Sequence, residues 1–129
     1  KFMKILREEI ELNCPANELW EILSDVGRSD WVPSIEEIKL NDDCRYFEME
    51  GMGKITEKIL KCDDREMKLQ YSAIETPVPI KHHLATMQIF PIGKQKCLLS
   101  WITEISPDIF SKSIHQGMLS SIDGIKKVI

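Results

Sequence analysis

No hydrophobic run in this sequence approaches the roughly 20 residues that a membrane-spanning helix needs, so no integral membrane segment is expected. Basic residues never gather into a stripe. The nearest groups, Lys94-Gln-Lys96 and Lys126-Lys127, are too short to track a phosphate backbone, and the formal net charge is -4. Nucleic acid is therefore not an expected partner. Four cysteines (Cys14, Cys44, Cys62, Cys97) contain no Cys-x-x-Cys pair, so zinc would lack the close paired ligands it requires. There is no Gly-rich phosphate loop, nucleophile elbow or metal-ligand cluster. His82 and His83 are neighbours on a strand and point to opposite faces, so they cannot share a metal. No metal and no cofactor are expected. The opening Lys1-Phe-Met-Lys-Ile-Leu-Arg turns charged before a signal-peptide apolar core could form. The expectation is a cytoplasmic protein, monomer or homodimer, with reduced and mostly buried thiols.

What is present is an ordinary globular balance, 43% hydrophobic and 29% charged over 129 residues. That length suits one domain, residues 1–129, burying roughly two-thirds of its unfolded surface. Residues 3–13 alternate as a long first strand, with a bulge expected where the phase slips near Leu6 and Arg7. Pro15 fits the first turn of a helix capped by Asn13 or Cys14, with Leu19, Trp20, Ile22 and Leu23 as its apolar stripe. A second short helix is expected over residues 28–32, stopped by Pro33. From Ile35 to Glu104 six strands follow with short connections, which favours antiparallel neighbours. Ser106-Pro107-Asp108 opens a final helix, with Asp108 as a candidate cap and Ile114, Met118, Ile122, Ile125 and Ile129 at helical spacing.

The expected class is α+β: a seven-stranded curved antiparallel sheet wrapped around a long C-terminal helix, with two short helices after the first strand. Such a sheet curls around whatever covers its apolar face, and one helix need not fill the space beneath it. The last helix carries Gly117, Ser120, Ser121 and Gly124. An interior glycine costs about 1 kcal/mol relative to alanine, so each needs a reason. For Gly117 that reason is room for a ligand or close packing; close packing, or a frayed last turn, suits Gly124 better.

Cys14-Pro-Ala-Asn-Glu-Leu-Trp-Glu-Ile-Leu-Ser-Asp-Val resembles the opening segment of the START-like superfamily. The nearest branch is that of the polyketide cyclase/dehydrase-like lipid-binding (SRPBCC) proteins. Asp30-Trp-Val-Pro-Ser-Ile-Glu-Glu-Ile and the hairpin from Glu57 to Tyr71 are similar to later segments of that family, in order along the chain. The resemblance implies a helix-grip fold with a cavity between sheet and last helix. It implies little about activity, because members include enzymes, carriers and receptors.

Alternation supplies the candidate ligand-binding residues. Leu69, Tyr71 and Ala73 share one strand face. Ile55, Glu57 and Ile59 share another, which places a carboxylate among isoleucines, where it must be paired or neutralised. The alternative for Glu57 is a bulge that turns it out toward a surface lysine. In related plant hormone receptors an acidic residue in a context similar to Thr56-Glu57-Lys58-Ile59 faces the ligand. His83 runs with Ala85 and Met87. The facing of the last strand stays open, with Ser100 and Ile102 on one side and Trp101 on the other; Ser100 is taken as a candidate. From the last helix come Ile114, Gly117, Met118 and Ser121. Val78, in the proline-rich loop Thr76-Pro-Val-Pro79, would lid the opening, and Trp31 and Pro33 would flank it. His115 is read as solvent-facing and Trp20 as core.

The leading expectation is a carrier or binding module for a hydrophobic small molecule, such as a lipid, polyketide or isoprenoid-like compound. The rival is an aromatase/cyclase-type enzyme in which Tyr71, Glu57 or His83 moves protons. A third is a regulatory interaction protein with a filled interior, which a cavity below about 100 Å3 would favour.

Overall fold

A computed structural model describes residues 2–129. The elements run β1 (Lys4–Leu12), α1 (Ala16–Ser24), β2 (Ile35–Asn41), β3 (Cys44–Met49), β4 (Gly53–Asp63), β5 (Lys68–Glu75), β6 (His82–Pro91), β7 (Cys97–Ser106), a single 3-10 turn (Asp108–Phe110) and α2 (Ser111–Val128). The strands form one antiparallel sheet in the order β1-β7-β6-β5-β4-β3-β2. From β2 to β7 each strand lies beside its sequence neighbour, as short hairpin connections demand. β1 instead pairs with β7, so residues 13–34 must carry the chain from one edge of the sheet to the other. That path bears α1 and an apolar loop containing Trp31. No helix among the described residues is long and apolar enough to cross a membrane.

Period-two alternation sets the inner face. On β7 it is Cys97, Leu99, Trp101, Thr103 and Ile105; on β6 it is His83, Ala85, Met87 and Ile89, all buried. These join Leu19, Trp20, Leu23, Ile122 and Ile125 in the main core, where each fully buried leucine or isoleucine contributes about 1.5–3 kcal/mol. A second, smaller cluster of Ile35, Phe47 and Ile55 sits under β2–β4. Trp20 is core as expected, and its Nε1 donates to Asp64 Oδ1 (2.9 Å), tying α1 to the β4–β5 connection.

Several expectations are corrected. The second short helix is absent: Arg28 donates to the Asp25 carbonyl, Val32 to Ser29 and Ile35 to Val32, a chain of single turns. Five residues ahead of a proline cannot offset the cost of helix nucleation, and Arg28 clasps Asp30 (2.6 and 2.9 Å) instead of reaching along a helix face. β1 carries no bulge; its register with β7 is unbroken from Lys4 to Leu12, which turns Leu6 and Leu12 inward and leaves Met3 and Ile5 exposed. Neither Asn13 nor Cys14 caps α1. Pro15 holds the capping position, and its carbonyl accepts from Glu18 and Leu19. Asp108 likewise makes no cap hydrogen bond, lying inside the 3-10 turn. Of the four free cysteines only Cys14 and Cys97 are buried, and Cys62 is exposed. His115 is not simply solvent-facing, since its Nε2 meets Glu8 Oε2 of β1 at 2.6 Å.

The seat of α2 depends on one missing side chain. A Cβ on Gly124 would lie 2.0 Å from the Trp31 carbonyl oxygen, so only glycine lets the helix approach this loop. At Gly117 a Cβ would meet nothing within 4 Å. Gly124→Ala should therefore lower the unfolding free energy by about 1–3 kcal/mol through overpacking. Gly117→Ala should raise it by up to about 1 kcal/mol through helix propensity. Urea melts of the two variants check this, and equal shifts of the same sign would contradict the close approach at Gly124.

Candidate functional site

The two core clusters are joined only through Val32, which packs against both, among the described residues. Between them, under α2, lies a cavity of about 130 Å3. Its walls come from the Trp31 loop, from β2, β3, β4, β5, β6 and β7, and from one face of α2. A much larger depression of about 1090 Å3 lies beside β2–β4, but it is an open trough in which Glu36, Glu37, Glu48, Glu50 and Glu75 outnumber Lys39 and Lys54 around a few apolar side chains. Carboxylates in water keep their hydration, so an apolar molecule gains little there.

Eight of the residues singled out by the sequence line the cavity: Trp31, Glu57, Tyr71 and His83 from loop and sheet, and Ile114, Gly117, Met118 and Ser121 from α2. The others stand elsewhere. Ile59, Leu69, Ala85 and Met87 point inward but are consumed by the main core. Ile55 belongs to the second cluster, with Ala73 packed against it. Ser100 is misassigned: Trp101 is paired with Met87 in the β6–β7 ladder and faces in, so alternation sends Ser100 to the outer face beside Gln88. Val78 does not lid the cavity. Its carbonyl accepts from Thr76 Oγ1 (2.6 Å) and from the Ile80 N–H (2.8 Å), while Pro77 lies over Gly53 and into the outer trough. Trp31 is buried in the cavity wall rather than at its rim, and Pro33 lines the trough.

Arg45 was not among the expected residues, and it organises the site. It is buried, and its Nε donates to Glu57 Oε1 at 2.7 Å while Nη1 donates to the Val26 carbonyl at 3.2 Å. The guanidinium lies 4.6 Å from the centre of the Tyr71 ring, a cation–π contact of about 1–2 kcal/mol once desolvated. Glu57 thus remains inward, its side chain 13% exposed, although β4 does shift register between Thr56 and Glu57. Burial pushes its carboxyl up from the ordinary range while the Arg45 charge opposes that rise. A signal for Arg45 existed. Counting back across the tight Gly51-Met-Gly53 turn pairs Met49 with Gly53 and therefore Arg45 with Glu57, as the ladder shows. Trp101 carried no comparable signal, because both faces of β7 mix apolar and polar residues.

β5 and β6 pair only from Lys68 to Tyr71 and then diverge. Side-chain bonds take over where the ladder ends. The Ala73 N–H donates to His83 Nδ1 (2.9 Å), and the Ser72 hydroxyl donates to the His83 carbonyl. With Nδ1 accepting, the ring is neutral and carries its proton on Nε2. Burial, then the neighbouring His82 and Arg45 charges, bring its pKa from 6.5 down to about 4. Tyr71 lies against this ring, centroids 6.0 Å apart. Burial foremost, with the Glu57 charge adding, pushes the Tyr71 hydroxyl far up, so it stays protonated.

A histidine whose folded pKa is depressed stabilises the protein above its unfolded value and loses that stabilisation as pH falls. His83 should therefore cost the fold on the order of 3 kcal/mol as pH drops from 6.5 through about 4. His83→Gln should flatten this part of the stability–pH curve, measured by urea unfolding at successive pH values; an unchanged slope would contradict the assignment. Arg45→Met at neutral pH should cost about 3–5 kcal/mol by stranding Glu57, while Arg45→Met with Glu57→Leu should recover most of the loss. The coupling in that double-mutant cycle is the measurement, and purely additive losses would contradict the pair.

The comparisons with known proteins agree with this architecture. Solved structures with the same fold include the protein XoxI from Bacillus cereus, with a TM-score of 0.87 and 19% identity over 96% of this chain and 94% of that one. The Zhui aromatase/cyclase from Streptomyces sp. R1128 has a TM-score of 0.82 and 14% identity over 98% and 93%. Norcoclaurine synthase from Thalictrum flavum, in complex with dopamine and hydroxybenzaldehyde, has a TM-score of 0.79 and 21% identity over 98% and 86%. At these identities the likeness establishes fold alone. No curated protein matches the sequence. The family model described as polyketide cyclase / dehydrase and lipid transport matches residues 3–122, and the chain belongs to that family, a ligand-binding fold of the SRPBCC type.

Proposed function

We propose that the protein binds a small, predominantly apolar molecule in the cavity beneath α2, as a binding or carrier module. The observation that carries this reading is an apolar hollow whose charged groups are already neutralised by one another: Arg45 by Glu57, and Arg28 by Asp30. A cavity of about 130 Å3 is close to the roughly 150 Å3 that accepts a benzene ring in an apolar core, and below the usual few hundred for larger ligands. The occupant is accordingly of single-ring size. A longer lipid, polyketide or isoprenoid chain would require the amino-terminal half of α2 to lift. That half exposes Ser113 and Gly117 and is tied to β1 through His115 and Glu8. The complex of norcoclaurine synthase with dopamine and hydroxybenzaldehyde offers a precedent for single-ring occupants of this fold.

The cyclase-type alternative needs a proton acceptor facing the hollow. His83 has its one lone pair engaged by the Ala73 N–H, and Glu57 is engaged by Arg45, which favours binding over turnover.

Native mass spectrometry of protein purified from its own host should reveal a retained small molecule. Toluene should quench or shift tryptophan emission, and Ser121→Val, which fills the hollow, should weaken that response about tenfold or more by occupying the space. Repeated empty spectra with no response to toluene would count against the reading.

A further inference from the structure

Two buried donors in this cavity have nothing to donate to. Among the described residues, the indole Nε1 atoms of Trp31 and Trp101 are shut away from solvent and make no hydrogen bond. Both residues line the cavity, from opposite sources: Trp31 from the loop that α2 rests on, Trp101 from the middle of β7. Their rings meet edge to face, centroids 6.3 Å apart and planes at 67°. The Tyr71 hydroxyl stands beside Trp101, near enough to act on its indole N–H, although Trp101 Nε1 makes no hydrogen bond of ordinary geometry. The third tryptophan shows the usual outcome, since Trp20 Nε1 has found Asp64. Buried N–H groups are nearly always partnered, because an unmet donor keeps its desolvation cost with no return. Two tryptophans that line one hollow, each with a buried and unmet N–H, are the pattern of a site that meets an acceptor carried in by its occupant.

The charge of that acceptor follows from the cations nearby. Arg45 is committed to Glu57 and to the Val26 carbonyl, and Arg28 to Asp30. His83 is neutral, with its lone pair taken. A carboxylate entering this hollow would lose its hydration and find no free cation among the described residues, whereas a neutral carbonyl needs only N–H donors. We infer that the ligand is a compact, uncharged, single-ring molecule bearing a carbonyl-type acceptor oxygen, received by the indole N–H groups of Trp31 and Trp101 with the Tyr71 hydroxyl beside them. This inference rests on the small-molecule reading above and adds the polar group that reading leaves open.

Two probes of equal shape separate the two ideas. Acetophenone and α-methylstyrene differ only in whether C=O or C=CH2 projects from the ring. Acetophenone should bind about tenfold or more tightly, the margin expected when buried donors gain their partner. In 1H–15N spectra of the intact protein the indole N–H signals of Trp31 and Trp101 should move downfield with acetophenone alone, while that of Trp20 stays. Trp31→Phe and Trp101→Phe should each bring acetophenone toward the affinity of α-methylstyrene. Equal affinities with unmoved indole signals would overturn the acceptor assignment while leaving the apolar site intact. Tighter binding of benzoate than of acetophenone would overturn the uncharged ligand, and binding of neither neutral probe would bring down both readings together.

Discussion

The shape of the interior depends on the bare α-carbon of Gly124. Because nothing projects there, the carboxy-terminal half of α2 settles against the Trp31 carbonyl, and Ile122 and Ile125 sink into the main core beside it. The amino-terminal half makes no comparably close backbone approach and is tied to β1 by His115 and Glu8. Ile114 is only half-buried and Gly117 is open to solvent. Beneath that half lies a wedge lined by Ile114, Gly117, Met118 and Ser121, and that wedge is the cavity. The same contact holds Trp31 in place, so one close approach fixes both the helix and a wall of the site.

The polar chemistry of the wedge is self-contained. Arg45 and Glu57 face each other across the β3–β4 ladder and neutralise one another in a setting where either charge alone would be costly. Tyr71 lies under the guanidinium and against the neutral His83 ring, whose proton position is dictated by the Ala73 backbone where β5 and β6 part. These groups are arranged to be satisfied rather than to exchange protons, which is the character expected of a receptacle. What is left unsatisfied is the pair of indoles, and it is there that an occupant would be recognised.

Much of the architecture was legible because it rests on local periodicities. Period-two alternation over β5 and β6 places Tyr71 and His83 inward, and the 3.6-residue spacing of Ile114, Met118, Ile122 and Ile125 marks the inner stripe of α2. Ser100 and Val78 were misplaced for different reasons. The β7 sequence has two plausible inner faces, and only pairing with Met87 on β6 selects Trp101. The Thr76–Pro79 loop is held by its own hydrogen bonds and by Gly53, neither of which local propensity reveals. The second short helix failed because an apolar segment ending at a proline reads alike whether it coils or simply turns.

By itself, then, the sequence determined the seven strands, the enclosing helix and the family, since each follows from spacing along the chain or from a contiguous motif. Only the tertiary structure decided that Arg45 meets that carboxylate, that Trp101 faces the hollow with Trp31, and how little space they leave. Those are distances between residues far apart in sequence, set when β1 joins β7 and α2 comes to rest on Gly124. No local pattern encodes the volume that remains once such surfaces meet.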